Sequence, residues 1–315
     1  MKGFRGFLFK VVRHTRCLLP DGPYIRLVYY CQLGVFPRLH PPVTFNEKIQ
    51  WLKLHDRKEI YHRMVDKSTA KEYVDAVIGP GHTLRTYGVW DRPADIDWDA
   101  LPREFVLKLT AGGGGRSVCI CHDKASFDRE AAVRRLQKDY GRDLYRRYGE
   151  WAYKGIPQRV IAEELLHSDG PFSSPSDYKF WCFNGKARYV MVGEGRYEDG
   201  ADPSFHFLDT DWNPLPFWKK YPPTRETPPR PPQLAEMIEI AEKLSQGMSF
   251  LRVDLYNEGG RVYFGELTFY PSSGTAPFHP EEWDEIAGKM LTLQDDGSHR
   301  IIQGPREGRL SRPGT

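Results

Sequence analysis

The chain has 315 residues, 40% apolar and 28% charged, the balance of a soluble globular protein large enough to bury a site in its core. Lysine and arginine total 45 against 42 acids, and a net charge of +3 argues against nucleic acid as a partner. No run approaches the roughly 20 apolar residues of a membrane span, and the five cysteines, Cys17, Cys31, Cys119, Cys121 and Cys182, show no metal-type spacing, so a cytoplasmic chain with reduced thiols is expected.

The first 43 residues are basic and aromatic. Lys10 and Arg13 break their apolar stretch and no small-residue cleavage site follows, which argues against a signal peptide. Phe4, Phe7, Leu8 and Val11 among basic residues leave two readings of residues 1–30: peripheral association with an anionic membrane surface, or a helix packed on the main body. The short apolar stripe favours packing. Pro41-Pro42 ends the segment, and Thr44-Phe45-Asn46-Glu47 reads as a capping box that opens a helix through Ile49, Leu52 and Leu54. A second helix is expected from Asp66 to Val77, stopped at Gly79-Pro80-Gly81.

Strand signals follow. Phe105 to Leu109 and Val118 to Cys121 flank a run of four glycines, Gly112, Gly113, Gly114 and Gly115, with Arg116 and Ser117, in a hairpin pattern. Cys119 and Cys121 fall on one face of the second strand. Ser126 to Tyr140 reads as a helix and Arg159 to Leu166 as an apolar strand. Tyr178 to Phe183 and Ala187 to Val192 form a hairpin about Asn184-Gly185. A stiff proline-rich connection, 213–233, precedes an amphipathic helix with Leu234, Met237, Ile238, Ala241 and Leu244 on one face. Two strands, Leu251 to Tyr256 and Arg261 to Phe269, turn at Glu258-Gly259-Gly260. Residues 295–315 read as a flexible polar tail, and no internal repeat is visible.

Three features carry chemistry. Lys108 ends an apolar strand just before the glycine run, whose backbone N–H groups can approach phosphate oxygens because no side chain intervenes; a plain hairpin turn has the same pattern. The loop matches neither a Walker loop nor a Rossmann fingerprint. Arg252 and Asp254 share one strand face, and Glu266 and Thr268 share a face of the next. Antiparallel pairing would join them into a set of hard oxygen donors suited to Mg²⁺ held with substrate phosphates, with an arginine beside it. Val160-Ile161-Ala162-Glu163-Glu164-Leu165-Leu166 is either a hinge whose backbone and leucines hold a purine or a core strand with an acidic end.

The order Asp66-Lys67, Phe105-Val106-Leu107-Lys108, glycine loop, Ile161-Ala162-Glu163-Glu164-Leu165-Leu166, Asp177-Tyr178-Lys179-Phe180, Arg252-x-Asp254, Glu266-x-Thr268-x-x-Pro271-Ser272-Ser273-Gly274 resembles an ATP-grasp ligase, on the general plan of D-alanine–D-alanine ligase and its relatives. Thr44-Phe45-Asn46-Glu47-Lys48, Asp66-Lys67, Asp177 to Phe180 and Cys182-Phe183-Asn184-Gly185-Lys186 resemble the TupA-like branch, associated with teichuronopeptide and other surface-polysaccharide biosynthesis; the similarity covers roughly residues 40–290. The resemblance implies an α+β ATP-grasp fold, two lobes with mainly antiparallel sheets gripping ATP after a helical N-terminal segment. Its parts would be a basic segment 1–43, a helical region 44–100, a small lobe 101–170 with the glycine loop, a large lobe 171–294 with the Mg²⁺ site, and the tail. By the same resemblance Lys67, Lys108 and the loop Gly112–Ser117 would contact ATP phosphates; Glu163, Glu164 and Leu166 would hold adenine; Asp177 would reach the ribose. Lys179 would touch phosphate or substrate, Asp254, Glu266 and Thr268 would hold Mg²⁺, and Arg252 would stabilise the transferring phosphoryl group. Thr268 stands where relatives usually carry asparagine. The implied activity joins a carboxylate, of a small molecule or glycan, to an amine or amino acid through an acyl phosphate; a small-molecule or sugar kinase, or a glycan-binding member without turnover, are the alternatives.

Overall fold

A computed structural model describes residues 3–112, 117–170, 174–194, 204–223 and 226–294. Gly113, Gly114, Gly115 and the tail from Asp295 lie outside the described residues. The architecture is α+β, as expected, with a helical N-terminal part and, among the described residues, two larger antiparallel sheets and one two-stranded ribbon.

Helices α1 (Phe4–His14) and α2 (Asp21–Leu33) form a hairpin closed by Phe9 and Val12 against Tyr24, Val28 and Cys31. The capping box is present: Thr44 accepts from the Glu47 N–H, the Glu47 carboxylate accepts from the Thr44 N–H, and α3 (Phe45–His55) follows. The helix expected from Asp66 to Val77 begins four residues later, as α5 (Ala70–Ile78), and a short helix not expected from sequence, α4 (Ile60–Val65), precedes it. Asp66 breaks them apart, because its carboxylate accepts from the Ser68 N–H at 2.8 Å and from the Ser68 hydroxyl, a local turn that competes with helix.

The first sheet comprises β1 (Thr86–Trp90), β2 (Phe105–Leu109), β3 (Cys119–Cys121) and, after helices α6 (Arg129–Asp139) and α7 (Leu144–Tyr148), β4 (Val160–Glu163), in the order β1-β4-β2-β3. Phe105, Leu107, Leu109, Cys119 and Cys121 turn inward onto α6 residues Ala132 and Leu136, so Val106 and Lys108 face the other way. The edge strand β1 carries no alternation that marks it in sequence; its Gly88 lies at a register shift.

The second sheet holds β5 (Asp177–Phe183), β6 (Lys186–Glu194) and β7 (Ser204–Leu208). A short β8 (Trp218–Lys219) and α8 (Leu234–Leu244) lead to β9 (Phe250–Glu258) and β10 (Arg261–Thr268), giving the order β10-β9-β5-β6-β7. Helix α8 buries Leu234, Met237, Ile240, Ala241 and Leu244 in the same core as this sheet; Ile240 is buried and Ile238 only partly so. The chain ends its described part with β11 (Phe278–His279), paired to β8, and α9 (Glu282–Met290), which packs on α3. Phe45 at the start of α3 lies among the rings of Trp181, Phe183, Phe250 and Phe278, fixing the helical region to the sheet.

Candidate functional site

Lys108 is two residues from Val106, which pairs with Glu163 across β2 and β4, so both charged side chains leave the same sheet face. The Lys108 ammonium ion-pairs with one Glu163 oxygen, and Lys71 from α5 holds the other at 2.6 Å. Burial opposes ionisation of Glu163, but Lys108 and Lys71 outweigh it and hold the carboxyl below its ordinary value. Burial also lowers Lys71, with Glu163 opposing that shift. Lys108 and Glu163 floor a slot between the two sheets. Val106, Ile120 and Leu166 line it from one side, Tyr256 and Phe264 from the other, with Glu164 and Asp177 at the margin. Apolar walls and a few convergent polar groups suit a flat heterocycle. The Glu164 N–H is already bound to Arg85 O at 2.9 Å, whereas among the described residues nothing engages the Leu166 N–H.

A second, more polar recess lies along β5, β9 and β10, where Lys179, Arg252, Glu266 and Thr268 join Gly112 and Ser117. Arg252 Nε donates to Asp254 Oδ1 at 2.6 Å; its Nη2 donates to Asp254 Oδ2 at 2.7 Å and to Glu266 Oε1 at 2.8 Å. Lys179 donates to Asp254 Oδ2 at 2.6 Å and also bonds Asp177. Lys67 donates to Gly112 O at 3.0 Å and stands 3.5 Å from Glu266 Oε2, linking the glycine loop to β10. Burial disfavours the charged guanidinium of Arg252, yet Asp254 and Glu266 carry its pKa above the ordinary value. Burial raises the Asp254 carboxyl, and Arg252 and Lys179 work against that rise.

The two recesses share a wall. Gly265 lines the apolar slot and Glu266 the polar recess, one residue further along β10. The register shifts between Phe264 and Glu266, so that Glu266 pairs with Asp254 and Thr268 with Arg252. Without the bulge at Gly265, Asp254 would pair with Gly265 and Glu266 would turn to the opposite face. A Cβ at Gly265 would lie 3.0 Å from Asp254 O, which leaves little room for any other residue.

Lys67, Lys179, Arg252, Asp254, Glu266 and Thr268 are therefore gathered at one place, and Lys108, Glu163, Glu164, Leu166 and Asp177 at the adjoining one. Asp254 is enclosed by Arg252 and Lys179 rather than open to the recess; Glu266 presents its carboxylate there, with Thr268 Oγ1 3.5 Å from it. Among the described residues no group of three or more His, Cys, Asp or Glu could hold a metal ion by itself. Glu266 and Thr268, joined by Asp254 once Arg252 and Lys179 turn to phosphate, fit a magnesium ion that arrives with phosphate oxygens completing its shell.

Residues not singled out from sequence complete the wall. Lys71 pairs with Glu163, and only the fold brings α5 to β4. Buried Lys53 donates to Gln50 Oε1 at 2.9 Å, to Tyr148 O at 3.1 Å, and to Ser273 at both O (2.8 Å) and Oγ (2.9 Å). Ser273 in turn bonds Glu150, whose carboxyl burial pushes up to about 7 against the pull of Lys53. Ser272 and Ser273 sit in left-handed backbone at φ 48° and 58°, a strain that Lys53 and Gln50 help to hold in place.

A family model described as TupA-like ATPgrasp matches residues 47–292. No curated protein matches the chain. Among solved structures it is similar to a D-alanine–D-alanine ligase from Bacillus anthracis complexed with ATP (13% identity, 66% of this chain and 54% of that one, TM-score 0.37). It is similar also to the Helicobacter pylori D-alanine–D-alanine ligase (16%, 73% and 63%, TM-score 0.39). A third is the N5-carboxyaminoimidazole synthetase of Staphylococcus aureus complexed with ADP (14%, 65% and 43%, TM-score 0.34). The chain thus spans less than two thirds of each of these proteins.

Proposed function

We propose, from the premise that this chain belongs to the TupA-like ATP-grasp family, that it is an ATP-dependent ligase joining a carboxylate to an amine. The observation that supports this reading is the shared wall at Gly265-Glu266: an apolar slot with a lysine floor opens beside a recess where Lys67, Lys179 and Arg252 are held by carboxylates.

A carboxylate oxygen would attack the γ-phosphorus of ATP, the bond to ADP would break, and an acyl phosphate would form. The amine would then attack the carbonyl carbon, phosphate would leave, and the nitrogen would lose a proton. Both steps crowd anions together, so alignment and charge neutralisation dominate the catalysis. Adenine would enter the slot against Val106, Ile120 and Leu166, bonding the Leu166 N–H, with Glu163 and Glu164 at its edge and Asp177 toward the ribose. Lys67, Lys108 and Lys179 would exchange their internal partners for phosphate oxygens, which the backbone N–H groups of the loop Gly112–Ser117 would also meet. Arg252 would face the charge that develops on the phosphoryl and acyl oxygens. Asp254, Glu266 and Thr268 would hold Mg²⁺, whose chemistry is to neutralise the β- and γ-phosphates. Residues 101–170 and 171–294 would then be the two lobes, preceded by 1–43 and 44–100. The setting would be surface-polysaccharide or teichuronopeptide-type synthesis in the cytoplasm.

The test is ADP release by the purified chain against panels of amino acids and uronic-acid sugars, with hydroxylamine present. A hydroxamate that depends on ATP and a carboxylate is the expected product, lost in Asp254→Asn. A phosphorylated product without hydroxamate would replace the ligase by a kinase. Absence of any ATP turnover across the panel would remove the enzymatic reading.

A further inference from the structure

The α1–α2 hairpin buries one side and leaves another uncovered. Phe9 and Val12 pack inward, while Phe4, Phe7 and Val11 project from the opposite flank of α1, Phe4 at 73% and Phe7 at 66% exposure. Leu18, after α1, is 77% exposed, and Val35 and Phe36, after α2, are 60% and 59% exposed. The two groups are neighbours: a Cβ at Gly34 would meet the Arg5 guanidinium of α1 at 2.5 Å, and Phe36 stacks on Tyr30 of α2 at 4.6 Å. So many large apolar side chains at one end of a protein mark a contact surface.

Charge selects what it contacts. The first 46 residues contain seven lysines and arginines and a single acid, Asp21. That acid is already engaged by Arg16, Arg57 and Tyr145. Arg5, Lys10 and Arg13 stand exposed among the phenylalanines on α1. Aromatic side chains interleaved with cations on a short surface helix match an anionic lipid interface, where rings enter the acyl boundary and cations meet headgroups. Among the described residues no helix is long and apolar enough to cross a membrane, so a contact of this kind would be peripheral.

The hairpin is also tied to the recess. Tyr24 donates to Arg146 O and Arg147 O at 2.6 and 2.9 Å, Phe9 stacks on Tyr148, and Gln32, Arg147 and Tyr148 line the polar recess. We propose that the outer face of the α1–α2 hairpin docks on an anionic bilayer and thereby sets the mouth of the polar recess beside the lipid.

Co-sedimentation of the full chain with vesicles tests this without any turnover. Vesicles containing phosphatidylserine or phosphatidylglycerol are expected to retain the chain, pure phosphatidylcholine much less, and added salt should weaken retention. Phe4→Asp with Phe7→Asp and Phe36→Asp should lower the apparent affinity at least about tenfold. Arg5→Gln with Lys10→Gln and Arg13→Gln should lower it about fivefold per charge, and only toward anionic vesicles. The circular dichroism spectrum and thermal midpoint of each variant should match the parent, because these side chains are exposed. Failure of the parent chain to bind anionic vesicles would overturn the proposal. So would undiminished binding by the Phe-to-Asp variant, or concentration-dependent dimerisation that the same variant abolishes, which would make the face an interface between two copies.

Discussion

Lys179 on β5 stands opposite Asp254 on β9, and its ammonium donates to Asp254 Oδ2 at 2.6 Å while Arg252 takes both oxygens of the same carboxylate. Three charges are thus packed where almost no water reaches, and each depends on the others. Lys179→Met should leave Asp177 and Asp254 short of a cation and cost about 3 kcal/mol in stability, since breaking a buried pair strands its partner. Asp254→Asn keeps the shape but leaves Arg252 and Lys179 under-compensated. Urea unfolding and ADP release, measured side by side, should show both variants destabilised and slowed at least about a hundredfold.

Gly265→Ala probes the bulge. A methyl group 3.0 Å from Asp254 O must push β9 and β10 apart or slip their register. Turnover should fall far more than stability does, because the shift moves Glu266 away from Arg252 while the apolar face of β10 stays buried. A variant with full activity would show that the register of Glu266 is unimportant.

Lys71→Met should leave Lys108 as the sole cation on Glu163 and bind it there more firmly. The KM for ATP should rise roughly tenfold with a smaller change in kcat, if Lys108 must release Glu163 to meet a phosphate.

Lys219 gives a prediction for pH. Its ammonium is buried 3.4 Å from the centroid of the Phe278 ring, with Asn46 Oδ1 at 3.5 Å, and burial lowers its pKa to about 7 against the pull of Asp284. The folded pKa lies below the unfolded one near 10.4. This lysine's contribution is therefore complete above the unfolded value and declines as pH falls toward 7, where the unfolded chain binds the extra proton. Lys219→Met should flatten the stability profile between pH 7 and 10 and raise stability at pH 6 by a few kcal/mol at most, read from chemical unfolding at each pH.

Local signals in the sequence were sufficient for local structure. Thr44 and Glu47 cap α3 because both partners lie within one turn, and Asn184-Gly185 turns the β5–β6 hairpin with Asn184 at φ 50°. Alternation along β9 and β10 put Arg252 with Asp254 and Glu266 with Thr268. It said nothing of the bulge that makes the two pairs face each other; the only sign was a lone glycine, Gly265, inside a strand pattern. Asp66 lies before α5 and not within it, because its turn with Ser68 is a side-chain effect that periodicity does not register. Lys71, Lys53 and Glu150 were missed for a different reason: their partners are Glu163 and Ser273, about 90 to 220 residues away along the chain, and no spacing rule reaches that far.

The internal pairing of the cleft has a kinetic corollary. Lys67, Lys71, Lys108, Lys179 and Arg252 are nearly matched in number by Glu163, Asp177, Asp254 and Glu266, so the field reaching out into solvent from this region is weak. A triphosphate would approach by unguided diffusion and be recognised only on arrival, when partners swap. Its association rate should change little with ionic strength, unlike that of an enzyme whose pocket projects unpaired positive charge.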